Sequence, residues 1–529
     1  MHKDRIPIKA ASIPRNVWLF CLVITLLVSC ASEPPASSPA GFTPSLIPSS
    51  TLSVIKTLPP PTSTSAPASG RPIQLTVLYT NDEHGWMAGT APGGGAANML
   101  GLWEAKEGYT QGGPFLILSG GDNWTGPAIS TWFDGQGMVE VMNAMGYQAS
   151  AVGNHEFDFG LEVLKTRLGE AHFPFLAANL RYKKDGAVPT DLGIKAYTII
   201  EVNGLKVGII GLSTRSTPVV TNPANVADLS FNDYAKTLEE TVPQVRVAGV
   251  DLILVTAHVC PDELNSLAVQ VKSLGIAFFG GGHCEITLAS KAGGAIVLAA
   301  DSSLAGYGVV HFQVDPDTRQ IVHEDYRLEE NKGGAEDPTI AGIVARWQSK
   351  TDAELSDPIG YLKTPLRRGS EEMQALIVET WLLAYPTADV AISNPGGMRD
   401  DLSAGDLTLE KLIGILPFND VLITVKLTGA QLTKVLAKAN NPVIGGLHRE
   451  VIQWVVNKTG QPLEEDRTYT VLVNDFMYGG GDNYTLLAQY DPKGYNTAID
   501  WRQPIIDWVK AQHSDKDHPL DDAIAALGK

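Results

Sequence analysis

The stretch Ile73-Gln74-Leu75-Thr76-Val77-Leu78-Tyr79-Thr80-Asn81-Asp82-Glu83-His84 changes character within a residue or two. A largely apolar run ends at Tyr79, and polar side chains follow at once, the pattern of a covered strand whose carboxyl end opens onto a ligand. The same change recurs along the chain. Phe115 to Ser119 runs into Gly120-Gly121-Asp122-Asn123, and Ala149 to Val152 into Gly153-Asn154-His155-Glu156-Phe157-Asp158. Asp251 to Thr256 precedes Ala257-His258, and Ile276 to Phe279 precedes Gly281-Gly282-His283-Cys284-Glu285. Two further apolar runs, Lys206 to Gly211 and Ala295 to Ala299, complete the series. Short continuous apolar runs separated by segments of helical length predict an α/β architecture with covered sheets. In such sheets ligands gather at the carboxyl ends of strands, so the five polar clusters are expected to converge on one site.

The rest of the composition agrees with a large globular chain. At 529 residues the chain exceeds the size of one hydrophobic core and predicts two domains. With 44% hydrophobic and 19% charged residues and a mean hydropathy of +0.00 it can bury such cores. A net charge of −18 repels nucleic-acid phosphates over most of the surface, and no nucleic-acid partner is expected. Four cysteines, Cys21, Cys30, Cys260 and Cys284, are too few for a disulfide scaffold or a four-thiolate zinc site.

The first seventy residues read as an address and a tether. Lys3, Arg5, Lys9 and Arg15 precede an apolar run from Val17 to Val28 that is too short for a stable membrane span. The run closes in Leu27-Val28-Ser29-Cys30, which resembles the lipobox of bacterial lipoproteins and makes Cys30 the expected acylated first residue of the mature chain. An ordinary signal with an incidental cysteine is the other reading. From Ala31 to about Gly70 the chain is Ser, Thr, Pro and Ala with almost no charge, a semi-rigid stalk in expectation.

Asp82, His84, Asp122, Asn154, His258 and His283 offer the oxygen and nitrogen donors that hard or borderline divalent ions prefer. Asp82 and His84 are two apart and can point the same way from an extended segment, and the two oxygens of Asp122 can bridge two ions. Glycines before Asp122, Asn154 and His283 permit tight turns. Each piece alone is ordinary loop chemistry; all at strand ends in one half of the chain, they predict a dinuclear metal site.

These motifs, in this order, resemble those of the calcineurin-like metallophosphatases. The second half narrows the likeness: Asn394-Pro395-Gly396-Gly397-Met398-Arg399-Asp400, Leu416-Pro417-Phe418-Asn419, Asn474-Asp475-Phe476 and Gly480-Gly481-Asp482-Asn483-Tyr484 resemble the secreted bacterial 5′-nucleotidase and UDP-sugar hydrolase branch. The resemblance implies a four-layer α/β/β/α metallophosphatase sandwich at 72–330 and a mixed α/β substrate-binding domain at 357–529, and helical spacing at Ile340, Ile343, Val344 and Trp347 predicts a connecting helix from Pro338 to Leu355 in the linker at 331–356. These follow a signal peptide at 1–29 and a stalk at 30–71. It implies one divalent ion on Asp82, His84 and Asp122 and a second on Asp122, Asn154, His258 and His283, whether Zn, Mn, Co or Mg. His155 would face the substrate phosphate with Asp158 holding its other ring nitrogen. Arg399 and Arg367 would contact phosphate, Asn394 and Phe476 the base, and Asp482 the ribose.

Two departures from the family pattern stand out. Glu285 replaces the usual amide two residues after the last histidine, and is expected either to ligate metal with an added negative charge or to turn outward. The loop Asn441 to Arg449, from which the family's second base-stacking aromatic is expected, holds no Phe, Tyr or Trp. One stacking face is therefore expected to be missing. The implied reaction is hydrolysis of 5′-nucleotides by a lipid-anchored, extracytoplasmic enzyme acting on a small phosphoester, with no protein partner implied. The alternatives are a 2′,3′-cyclic-nucleotide phosphodiesterase, a UDP-sugar diphosphatase, or a surface lipoprotein that binds nucleotide or metal without turnover. Cys260 and Cys284 follow His258 by two residues and His283 by one, within reach of a disulfide if the strand ends are neighbours. Alternation along the strands favours two reduced, buried thiols instead.

Overall fold

A computed structural model describes residues 70–528; the expected signal, stalk and Cys30 anchor lie outside the described residues. The strand Ile73–Thr80 shows why the N-terminal half forms four layers. Leu75, Val77 and Tyr79 point into a core between two sheets, whereas Leu78 points into a second core against helices. Leu116 and Leu118 alternate with Phe115 and Ile117 in the same way, the period-two signature of a strand buried on both faces.

The first sheet has seven strands in the order Ile321–Glu330, Gly306–Val314, Ile73–Thr80, Phe115–Ser119, Ala149–Ala151, Phe175–Leu176 and Ile194–Lys195. The second has six, in the order Leu288–Ala292, Ala295–Ala299, Phe278–Gly280, Leu252–Ala257, Leu205–Leu212 and Tyr197–Val202. Helices Gly95–Leu102, Gln136–Met145 and Pro338–Leu355 cover the first sheet through Met99, Met138, Ile340 and Trp347. Helices Tyr234–Val247 and Pro261–Gln270 cover the second through Leu238, Val242, Leu264 and Leu267. The strand read at Ile276 to Phe279 is Phe278–Gly280, shifted because Ile276 and Ala277 still belong to its approach.

Register places the polar clusters together. Thr80 lies beside Ser119 and Ser119 beside Ser150 in parallel pairs, so the segments carrying Asp82, Asp122 and Asn154 leave one sheet side by side. Thr256 lies beside Gly280, so those carrying His258 and His283 leave the other sheet side by side. Two hydrogen bonds hold the sheets together at this end: Tyr79 Oη to Gly281 O at 3.0 Å and Thr256 Oγ1 to Ser119 O at 2.6 Å.

Asp337 caps the helix Pro338–Leu355, accepting a hydrogen bond from Ile340 N with proline at its first turn. Beyond it a five-stranded sheet, in the order Val443–Gly445, Val390–Ser393, Thr468–Asn474, Val421–Thr428 and Tyr495–Asp500, separates two apolar layers. Ala391, Leu422 and Leu472 face helix Glu371–Ala384, and Ile392, Ile423 and Val473 face helix Gly429–Lys438. The class is the α/β sandwich with a mixed α/β second half. A small apolar cluster of Ala128, Leu355 and Ile413 joins the two halves on one side of a cleft.

Candidate active site

Asp82, His84, Asp122 and His283 adopt φ of 52°, 46°, 60° and 77°. Non-glycine residues hold such left-handed backbone only where their surroundings fix it. Glu156 is the principal fixture. Its carboxylate accepts hydrogen bonds from the backbone N–H groups of Asp122, Asn123 and Gly153 at 2.9, 2.7 and 2.5 Å, and from Asn123 Nδ2 at 2.9 Å. Asp122 Oδ1 in turn accepts from His155 N at 2.8 Å. Position 153 must be glycine, since a Cβ there would lie 2.1 Å from that same oxygen. The Asp82 carboxylate accepts from His283 N at 3.0 Å to each oxygen, tying the two sheets' loops together.

On this frame the donors gather in two groups that share Asp122. Ligand atoms of Asp122, His258 and His283 lie within 4.8 Å of one another, as do those of His84, Asp122 and His155. In the first group His258 Nε2 stands 2.9 Å from Asp122 Oδ2, 3.2 Å from Asn154 Oδ1 and 3.2 Å from His283 Nδ1. His84 Nε2 of the second is 4.0 Å from Asp82 Oδ1, and Asp82 itself belongs to neither group. The far ring nitrogens are engaged elsewhere: His258 Nδ1 donates to Gly120 O at 2.9 Å and His84 Nδ1 to Thr125 O at 3.1 Å. Such outer bonds turn the Nε2 lone pairs toward the common point, as metal-ligating histidines require. Buried nitrogen and oxygen donors with no thiolate fit hard or borderline divalent ions.

The electrostatics agree with a site built for added positive charge. Burial pushes the Asp82 carboxyl up to about 6, with Asp122 adding to the effect against His258. Burial opposes a charge on His258, but Asp122 beside it wins and pushes the imidazole up to about 10. Burial, reinforced by the neighbouring His258, lowers His283 to about 3. A proton on His258 thus occupies the charge position a cation would take.

His155 differs from the other histidines. Its Nδ1 is 2.6 Å from Asp158 Oδ2, whose other oxygen accepts from Thr221 Oγ1 at 2.9 Å. Burial works against its charge, yet Asp158 and Asp122 raise its pKa, favouring an imidazolium with no lone pair for a cation. Its Nε2 lies 3.9 Å from Asp122 Oδ2, facing the donor groups.

The opposite wall of the cleft comes from the second half. His84, Asp122, Asn154, His155, Asp158, His283 and Glu285 line a cavity of about 250 Å³ together with Asn394, Arg399, Phe418, Asp420, Phe476 and Asp482. Asn394 Nδ2 donates to Asp482 Oδ2 at 2.8 Å. Phe418 lies nearly parallel to the His155 ring, with centroids 5.7 Å apart and planes at 22°. Burial, then Asp475 and Asp158, keep the Asp420 carboxyl well above the usual range.

Several expectations need correction. Arg367 is outside the cleft: its side chain is 78% exposed and pairs with Asp401 at 2.7 Å. Arg399 alone of the two lines the cavity, and its charge is disfavoured first by burial and then by Arg368. Glu285 lines the cavity but belongs to neither donor group, and it faces Arg399 electrostatically. The stretch Asn441 to Arg449 does not line the cleft; Val443–Gly445 is a sheet strand and Leu447 is buried in the core. A second aromatic that lines the cavity with Phe476 is Phe418, which follows the helix Leu409–Ile415. Cys260 and Cys284 form a disulfide, with Cα atoms 5.2 Å apart, because the two loops leave adjacent parallel strands. The sequence reading gave no role to Glu156, Thr221 or Phe418. Glu156 and Phe418 stand inside quoted motifs, where their neighbours' chemistry masked them, and Thr221 carries no local signal at all.

Comparison with known proteins bears on the same residues. The family described as "5′-nucleotidase, C-terminal domain" matches residues 358–489. Protein UshA of Yersinia enterocolitica is 26% identical over 515 residues, covering 84% of this chain and 92% of its own. The 5′-nucleotidase of Vibrio vulnificus is 26% identical, covering 80% of this chain and 88% of its own. In fold, the crystal structure of a 5′-nucleotidase precursor from Thermus thermophilus matches with a TM-score of 0.70 at 23% identity, covering 84% of this chain and 97% of that one. With relatives spanning both halves and the C-terminal domain matched in its own right, the chain is similar to 5′-nucleotidases along most of its length and is a 5′-nucleotidase-like phosphoric ester hydrolase.

Proposed function

We propose that the protein releases phosphate from 5′-nucleotides outside the cytoplasm, using two divalent ions. The observation that carries this reading is the sharing of Asp122 between two donor groups, one of which includes the Asp158-paired His155, in the same cleft that Phe418, Phe476 and Arg399 line. Asp82, His84 and Asp122 would hold one ion; Asp122, Asn154, His258 and His283 would hold the other. When bound, such ions acidify water and neutralise charge on phosphoryl oxygens.

The side chains account for the remainder. Asp158 keeps the proton on His155 Nδ1, so that Nε2–H faces the phosphoryl group and can donate to its oxygens or to the leaving alkoxide. Arg399 offers a half-buried fork of donors to the same charge. Phe418 and Phe476 supply two flat apolar faces for a base, and the Asn394–Asp482 pair supplies acceptors and donors for ribose hydroxyls. Extracytoplasmic placement is supported by the Cys260–Cys284 disulfide, which persists in oxidising compartments, together with the leader ending at Cys30. Among the described residues no helix is long and apolar enough to cross a membrane, and acylation at Cys30 is the tether we propose.

Purified protein given Mn²⁺ and AMP should release inorganic phosphate, and chelation should abolish the release. AMP should be turned over faster than 2′,3′-cyclic AMP, UDP-glucose or p-nitrophenyl phosphate in the same panel. Faster turnover of the cyclic ester or of UDP-glucose would move the assignment to a phosphodiesterase or a diphosphatase. Binding of AMP with no turnover of any substrate would overturn the catalytic reading.

A further inference from the structure

Three weak anchors hold the loop that carries His283. Gly282 N donates to Val259 O at 3.1 Å, Ser216 Oγ lies 3.1 Å from His283 Nε2, and His283 N donates to the Asp82 carboxylate. The first ties the loop backbone to the strand end that carries His258, beside the ring contact of His283 Nδ1 with His258 Nε2 at 3.2 Å. The loop is also under backbone strain, since His283 and Glu285 hold φ of 77° and 50°, and Cys284 stands between them. Strained backbone relaxes unless its surroundings over-determine it. The bond from Cys284 to Cys260 is the one covalent restraint on this loop, and it runs to the residue two beyond His258.

We infer that the Cys260–Cys284 disulfide is a positioning element for the second metal position, fixing the His283 ring against His258. The inference rests on the two-ion reading given above. The rings meet with centroids 4.9 Å apart, and a metal position needs both nitrogens directed at one point. Without the bridge, His283 and Glu285 can leave the left-handed region, and rotation at either backbone swings the His283 imidazole off that point. The Glu156-fixed loop of Asp122 and the carbonyl-bound ring of His84 are untouched by this change. The loss should therefore fall on one position of two. Both cysteines are partly exposed, so the bridge is within reach of solvent reductants.

The test titrates the full mature chain, freed of metal, with Mn²⁺ alone. Free ion is counted by electron paramagnetic resonance, and paired ions are recognised by their coupled spectrum. Oxidised wild type should bind two Mn²⁺ as a coupled pair. The double variant Cys260→Ser with Cys284→Ser should keep the first ion and bind the second about 10–100-fold more weakly, the range for losing a group that orients a ligand. The coupled spectrum should fade accordingly. Equal affinities for both ions in variant and wild type would overturn the inference, and so would an equal loss at both positions. Wild type binding fewer than two ions would instead overturn the two-ion reading. Should the variant fail to fold, wild type folded with its bridge intact serves in its place. Reduction there consumes one phosphine and one water per bridge, giving two thiols and one phosphine oxide, and the same selective loss is expected while circular dichroism stays unchanged.

Discussion

On the first-half side of the cleft, Asp82, His84, Asp122 and His283 sit in left-handed backbone, with Asp122 bonded to Glu156, His84 to Thr125 O and the neighbouring His258 to Gly120 O. On the second-half wall, Phe418, Phe476 and Arg399 come from segments far apart in the chain and converge as faces and charges. Coordination needs lone pairs aimed at a point, so tenths of an ångström matter and strain is tolerated to achieve them. Recognition of a flat base needs area and exclusion of water, and tolerates looser placement. Substitutions on the first wall should therefore strike kcat and metal content, and those on the second should strike KM.

The steepest break of this contrast is Asp122→Asn. Losing the shared carboxylate should remove both ions and lower kcat/KM on the order of 10⁴-fold or more, as several kcal/mol of charge stabilisation disappear. Metal analysis alongside kinetics checks it; full metal content in the variant would show that Asp122 is not the bridge. His155→Ala should lower kcat about 10²–10⁴-fold with metal retained. Metal falling with activity would instead make His155 a ligand.

Base stacking sharpens the second wall. Phe476→Ala should raise KM for AMP by about 1–3 kcal/mol of binding, roughly 5–150-fold, with kcat little changed. Phe418→Ala should raise KM similarly and also lower kcat, because its ring rests on His155. Equal kcat in both variants would show that the Phe418–His155 contact has no catalytic consequence.

The His155–Asp158 pair gives a pH signature. Asp158 is the leading influence raising the His155 pKa against burial, so on the proposed role of a charged His155 activity should fall as pH rises through that raised value. Asp158→Asn should move this alkaline fall to lower pH. A fall at unchanged pH would assign it to another group. The smallest effect separates the two arginines: Arg367→Ala, an exposed ion pair, should leave KM within about twofold of wild type. Arg399→Ala should raise KM well beyond that.

Leu447 illustrates where linear reading misleads. Its loop lies where the family's second aromatic was sought, yet the residue is buried in the core beneath the five-stranded sheet. A tyrosine there would overpack the core by about 1–3 kcal/mol and leave AMP binding unimproved.

The sequence by itself determined the strand-end clusters, the connecting helix Pro338–Leu355 and the donor types, because these depend on hydrophobic periodicity and on residues a few positions apart. A strand's carboxyl end is a local event, and Asp82, Asp122, Asn154, His258 and His283 each announce one. Tertiary structure alone decided which of Arg367 and Arg399 enters the cleft, that Phe418 lines it together with Phe476, and that Glu285 stands apart from the donor groups. It also decided that Cys260 meets Cys284. Those outcomes depend on which strands are neighbours and on how two separate cores face each other across a cleft. Contacts between residues far apart in the chain are set by packing, and no spacing along the sequence encodes them.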